Sequence, residues 1–207
     1  MSSAMSSREI GYGRLLTYRT VDIVTVATLG VAIGVAFWGW DQLYAVLSAA
    51  TNAFPPSGGL LAGPWLLGGI VGGLVVRKPG AALVCELIAA NVEYLLGNQW
   101  GGSVLVSGVL QGLGVEIVLA IFLYKRFGFV VAALAGAVAG SIESVYEWYA
   151  YFPDWDFGYR LAYLVMFAVS GAVIAGVGGC ALVRALAATG ALDAFPAGRE
   201  HHERSAV

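Results

Sequence analysis

The chain has 207 residues, 59% hydrophobic and 12% charged, with a formal net charge of -2 and a mean hydropathy of +0.79. A soluble domain carries about 25% charged residues, so half that share with several long apolar runs points to a polytopic membrane protein of one domain. The small net charge and the lack of a large basic cluster argue against a nucleic-acid partner. Both histidines, His201 and His202, sit in the polar C-terminal end, which removes histidine catalysis and most transition-metal chemistry from the apolar part.

Residues 1–19 are polar, with Arg8, Arg14 and Arg19. The apolar run from Val21 is too long for the core of a signal peptide, and no small-residue cleavage site breaks it, so no secretory signal is expected. The first span is predicted from about Thr20 to Trp40. Gly30, Ala32, Gly34 and Ala36 form interleaved small-xxx-small pairs that let a second helix come close. Spacing leaves open whether that helix is internal or belongs to another subunit. Residues 41–52 are mildly amphipathic and either extend this helix or lie at the interface. Phe54-Pro-Pro-Ser-Gly-Gly59 breaks any helix. A second span follows over about Leu60 to Val76, closed by the turn Arg77-Lys78-Pro79-Gly80.

The third span opens the stretch Ala81 to Gly101. It carries Glu86 and Glu93, seven apart and therefore on one side of a helix, and ends in the polar and aromatic Asn98, Gln99 and Trp100. An acid at bilayer depth costs about 2.5 to 3.5 kcal/mol on insertion scales and usually faces a cavity or a partner, so this stretch reads as one wall of a ligand site. The fourth span, about Ser103 to Tyr124, holds Gln111 and Glu116 and is closed by Lys125-Arg126. The fifth, about Phe127 to Trp148, reaches Glu143 and Glu147, one turn apart on one face. After the loop Tyr151–Tyr159 a sixth span runs from about Arg160 to Leu186, and residues 187–207 read as a polar tail. Cys85 and Cys180 lie inside apolar segments and read as small buried hydrophobes, neither disulfide nor metal ligands.

Of the 11 Lys and Arg, only Arg160 falls on one side of this arrangement. The positive-inside rule then places both termini in the cytoplasm of an all-α integral membrane protein with six transmembrane helices: tails at 1–19 and 187–207, membrane domain at 20–186. Glu93, Glu143 and Glu147 fall in the outer halves of their spans, with Asp41, Asn98 and Gln99 at the outer surface. Gln111 is central, and Glu86 and Glu116 lie deeper. All six tryptophans are on the outer side, whereas an anchoring belt populates both interfaces, so some of them are expected to line a site. Carboxylates beside aromatic faces suit an organic cation, since a ring face attracts one by about 0.5 to 2 kcal/mol. Amide side chains can read the donors and acceptors of a heterocycle.

The candidate ligand contacts are Glu86, Glu93, Glu143 and Glu147 for charge, Gln99 and Gln111 for hydrogen bonds, and Trp40, Trp100, Tyr146 and Trp148 for stacking. Glu116, deep and isolated, reads as bonded to a neighbouring helix. There is no GxxxxGK[ST], G-x-S-x-G or HExxH, so a transport subunit fits better than an enzyme, no cofactor is implied, and ATP hydrolysis would fall to other subunits. The alternative is a stand-alone proton-coupled organic-cation carrier whose acids shuttle protons. The lack of an evident inverted repeat weighs against it.

The run from Gly68 through Arg77-Lys-Pro-Gly-Ala-Ala-Leu to Glu86, continuing to Glu93 and Gly97-Asn-Gln-Trp-Gly101, with Leu110-Gln-Gly-Leu-Gly-Val-Glu116, resembles the YkoE-type S components of energy-coupling-factor (ECF) vitamin transporters. The resemblance implies six membrane helices and capture of substrate near the outer face of a bacterial plasma membrane. It also implies a complex with a transmembrane coupling subunit and cytoplasmic ATPases. The substrate it implies is thiamine or its hydroxymethylpyrimidine precursor. Thiamine's thiazolium cation matches the acidic and aromatic reading. Such S components often pack on the coupling subunit through an Ala-xxx-Ala face of the first helix, which Ala32 and Ala36 match, with Gly30 and Gly34 beside them.

Overall fold

A computed structural model describes residues 16–205, and all regular structure among them is helical. Helix α1 spans Thr20–Leu47. Three short 3-10 helices, Ser48–Ala53, Pro55–Leu61 and Gly63–Leu66, lead into α2, Leu67–Val76. Then come α3 (Ala81–Leu96), α4 (Ser103–Ile121) and α5 (Phe129–Ala150). Helix α6 (Phe157–Ser170) passes through a π-helical stretch, Gly171–Gly178, into α7 (Gly179–Ala188) without a break in the rod. Helix α8 covers Pro196–Ser205.

Thr20–Ala53, Ser103–Ile121, Phe129–Ala150 and Phe157–Ala188 are long and apolar enough to cross a membrane. Pro55–Leu61 with Gly63–Val76 makes a fifth candidate, bent by 43°. Helix α3 has 16 residues, about 24 Å at 1.5 Å per residue, short of the roughly 30 Å hydrocarbon layer. Of the six expected spans, four are long continuous helices and one is a bent pair, while α3 is too short to count among the candidates.

Helix α2 is the axis of the bundle. Every residue from Gly68 to Val76 is buried, as an all-round apolar helix must be, and α1, α3, α4, α5, α7 and α8 all pack on it. The turn after it is tied down by chemistry as well as shape. Gly80 has φ +89°, a conformation glycine adopts without strain. Lys78 reaches Asp22 at 2.5 Å, and Arg19 reaches the same carboxylate at 2.6 Å. Arg77 pairs with Glu200 of α8 at 2.6 and 2.9 Å. The basic residues expected to set topology thus also clamp the start of α1 and the end of the chain. The polar end expected as a tail instead folds back, burying Leu192, Phe195 and Ala197 against the core.

Helix α1 buries a single stripe, Asp22, Val26, Gly30, Gly34, Phe37 and Asp41, at the spacing of one helix face. That face lies on α3: a Cβ on Gly34 would sit 2.5 Å from the carbonyl oxygen of Ala89. Gly30 and Gly34 therefore serve an internal contact, which corrects their assignment to a partner interface. Ala32 and Ala36 point the other way and are exposed. Asp41, expected at the outer surface, is buried because α1 continues past it to Leu47.

Glu116 joins α4 to its neighbours as expected. Its Oε1 accepts the amide N–H of Ala82 at 2.8 Å and of Leu83 at 3.3 Å, and its Oε2 accepts the Tyr124 hydroxyl. It thereby satisfies donors that the first turn of α3 cannot pair internally. At the other end of the bundle Asp156 caps α6 through Gly158 N at 2.7 Å and Tyr159 N at 3.2 Å. Ser170 fastens the 3-10 segment to α6, donating to Leu60 O at 2.7 Å and accepting from Gly63 N at 2.9 Å.

Candidate substrate-binding site

The C-terminal ends of α1, α3 and α5 and the starts of α4 and α6 converge at one end of the bundle, around a cavity of about 520 Å³. Each helix offers residues one turn apart: Glu86, Ala90 and Glu93 from α3, Val104, Ser107 and Gln111 from α4, Glu143 and Glu147 from α5, Tyr163 and Phe167 from α6. Phe37 and Tyr44 of α1 complete the ring, with Trp65, Gln99, Trp100, Tyr151 and Phe152 from the connections.

Two aromatic groups form the walls. Trp65 meets Trp100 nearly perpendicular at 5.2 Å, and Tyr44 lies 5.1 Å from Trp65 and 5.5 Å from Trp100. Elsewhere in the lining Phe152 stacks on Trp155 at 3.9 Å and meets Tyr163 edge-on at 5.3 Å. Tyr151, just beyond the end of α5, shares a 2.7 Å hydrogen bond with Ser103. Burial, reinforced by the nearby charges of Glu147 and Glu143 and opposed by the Ser103 bond, pushes its hydroxyl up to about 12. It is therefore a neutral hydrogen-bonding group at neutral pH.

The four acids differ in what already occupies them. Glu86 accepts the amide N–H of Gly69, near the start of α2. With its amide nitrogen turned inward, Gln111 donates to Glu86 Oε1 at 3.1 Å and to Trp65 O at 3.0 Å. Glu86 thus caps α2 from outside, where unpaired N–H groups and the positive end of the helix dipole favour a carboxylate. Glu93 lies against Asp41, which accepts the Trp65 indole N–H at 2.9 Å. Glu147 accepts the Tyr163 hydroxyl. Glu143 is fully buried, yet neither of its oxygens has a hydrogen-bond partner. Ser107 and Gln111 approach it without completing a bond. A buried carboxyl with unused acceptor sites is costly until a donor or cation reaches it. No group of three or more His, Cys, Asp or Glu side chains is arranged to hold a metal ion among the described residues.

Of the expected contacts, Glu86, Glu93, Gln99, Trp100, Gln111, Glu143 and Glu147 come together in this cavity, and Trp40, Tyr146 and Trp148 do not line it. Trp40 stands behind the wall, edge-on to Trp65 at 6.2 Å and bonded to Leu61 O at 3.1 Å. Tyr146 and Trp148 flank Glu147 in sequence, and neighbours on a helix diverge by about 100°. Trp148 packs against the core and Tyr146 meets Tyr151 edge-on at 6.2 Å.

Sequence reasoning missed Tyr44, Trp65, Ser107, Phe152 and Tyr163. Ser107 lies one turn before Gln111, and Tyr44 continues the Phe37–Asp41 stripe, so both carried a helical signal. Trp65 carried none, because its direction depends on the 3-10 geometry around Pro64.

A family profile described as "ABC-type cobalt transport system, permease component" matches residues 21–142. The chain is 34% identical over 191 residues to the putative HMP/thiamine permease protein YkoE of Bacillus subtilis, covering 89% of this chain and 92% of that protein. The crystal structure of an S-component of an ECF transporter superposes with a TM-score of 0.85 at 32% identity, covering 91% of this chain and 95% of that one.

Proposed function

As the chain belongs to the YkoE-type family of ECF transporter S components, multi-pass membrane proteins that are transport subunits and not enzymes, we propose that it captures thiamine or its hydroxymethylpyrimidine precursor for an ATP-driven importer. The observation that carries this reading is Glu143: a fully buried carboxyl with both oxygens unpartnered, in an aromatic-walled cavity of about 520 Å³. That volume lies within the roughly 300–1,000 Å³ usual for small-molecule sites. A thiazolium or an aminopyrimidine supplies what the carboxyl lacks, a cation or an N–H donor. Trp65, Trp100 and Tyr44 offer ring faces for a flat heterocycle and for its charge. Gln99 can donate to a ring nitrogen and the free Gln111 oxygen can accept from an amino group, and Glu93 and Glu147 add negative potential.

The distribution of Lys and Arg supports six crossings with both termini in the cytoplasm of a bacterial cell, the cavity then opening outward. Broken α2 and short α3 would be the second and third of these crossings. The exposed Ala32 and Ala36 leave one face of α1 open to a coupling subunit, and cytoplasmic ATPases supply the energy. Isothermal titration of the purified chain in detergent tests the substrate assignment. Tight thiamine binding with weaker binding of the precursor is expected, and a folded protein that binds neither overturns the reading.

A further inference from the structure

At the opposite end of the bundle a second cavity, of about 500 Å³, opens between α2, α7, α8 and the residues leading into α5. Arg77, Arg184, Glu200 and His201 face it above a floor that includes Leu74, Cys180 and Val183. Arg77 is engaged, forked onto Glu200 and stacked 4.4 Å over Phe127. Arg184 is held differently. It is exposed, and its guanidinium lies 4.0 Å over the Phe129 ring, with no carboxylate within ion-pair distance among the described residues. Stacking fixes the plane of a guanidinium and leaves its in-plane N–H fork free for a bidentate anion such as phosphate.

The loop before α5 adds Lys125 and Arg126, both exposed. The lining between these groups is apolar, with Leu74, Phe127, Cys180, Val183 and Ala187, a surface that suits acyl chains and not water. The cavity therefore joins a phosphate-matched fork, an acceptor carboxylate and an apolar floor, with Lys125 and Arg126 next in sequence to its lining residues Phe127 and Gly128. Basic pockets between membrane helices recognise anionic headgroups by this chemistry.

We propose that this cavity binds the headgroup of an anionic phospholipid of the phosphatidylglycerol type. Arg184 is its phosphate ligand, Lys125 and Arg126 add attraction, and Glu200 accepts from the headgroup hydroxyls. Free phosphate shares the anionic oxygens but makes no use of the apolar floor.

The test uses the full chain in detergent, with short-chain phosphatidylglycerol, short-chain phosphatidylcholine and inorganic phosphate titrated separately. Thermal unfolding and native mass spectrometry report binding. The anionic lipid is expected to bind about tenfold more tightly than the zwitterionic one, the increment of one charge-assisted contact. Arg184→Gln is expected to erase that preference, while Arg199→Gln, an equal loss of charge at the same end, keeps it. Should Arg184→Gln fail to fold, the double variant Lys125→Gln/Arg126→Gln is expected to reduce the preference several-fold. Equal retention of both lipids overturns the proposal, as does a preference surviving Arg184→Gln or an inorganic phosphate effect matching the lipid's. A site filled only by a coupling subunit, with no lipid preference, does so too.

Discussion

Replacing Glu143 by Gln separates a binding role from a folding role. The side chain keeps its size and can no longer carry a charge. Glu143 is fully buried and neither oxygen receives a hydrogen bond, so the substitution breaks no internal bond and the melting temperature should stay within a degree or two of the parent. Binding should respond strongly. A hydrogen bond or ion pair involving a charged group contributes about 1.5–3 kcal/mol, and each 1.4 kcal/mol is tenfold, so Kd for thiamine is expected to rise about 10- to 150-fold. The neutral pyrimidine precursor exchanges a charge-assisted bond for a neutral one to the glutamine oxygen, a difference of about 1–1.5 kcal/mol, and its Kd should rise roughly 5- to 12-fold. Glu86→Ala supplies the contrast. It strands the Gly69 N–H and the Gln111 amide in a buried place, at about 1–3 kcal/mol each, so its first effect is lower stability. Titration calorimetry and thermal unfolding in one detergent read both quantities. A Glu143→Gln protein whose thiamine Kd stays within twofold of the parent, or which unfolds as readily as Glu86→Ala, would refute the reasoning.

Three further outcomes follow from the same geometry. Glu116→Ala removes the acceptor of two amides and the Tyr124 hydroxyl. It should cost about 2–4 kcal/mol of stability without moving thiamine affinity, checked by thermal unfolding beside calorimetry. Gly34→Val drives a side chain into the Ala89 carbonyl of α3 and should destabilise by about 1–3 kcal/mol or more, whereas Ala36→Val, on the exposed face, should leave the isolated chain's melting temperature unchanged. Tyr163→Phe removes the hydroxyl that holds Glu147 in place in the cavity and should weaken thiamine binding about three- to tenfold, while Trp148→Phe, outside the lining, should have no effect on Kd.

The acids of the cavity were legible because a carboxylate in an apolar helix has few places to go, and period 3.6 fixed which of them shared a face: Glu86 with Glu93, Glu143 with Glu147. Spacing marked Gly30, Ala32, Gly34 and Ala36 alike as residues that a second helix could approach. It could not tell which face met an internal helix, because Gly30 and Ala32 lie about 200° apart on α1 and both patterns look alike in one dimension. The aromatic contacts were less legible. Trp148 follows Glu147 immediately and so points elsewhere, whereas Trp65 reaches the site only because the chain around Pro64 is 3-10 and not α-helical. Asp41 was misplaced for a simpler reason. Extension of α1 past Trp40 was one of two readings of residues 41–52, and the seven further residues of helix carry Asp41 inward to the Trp65 indole.

The capping of α2 by Glu86 bears on how the protein reaches the bilayer. A ten-residue helix is about 15 Å long and crosses only together with the bent 3-10 segments before it, and the Gly69 amide in its first turn turns outside the helix for an acceptor that hydrocarbon does not offer. Glu86, seventeen residues downstream of Gly69, supplies one, and in return α3 hides a carboxyl it could not carry alone. Neither helix is a stable passenger of the membrane singly. Joined by the four-residue turn at Arg77–Gly80, they are suited to be released from the insertion machinery as one hairpin. Glycosylation mapping of truncated chains would show α2 staying outside the bilayer until α3 has been synthesised; insertion of α2 by itself would contradict this.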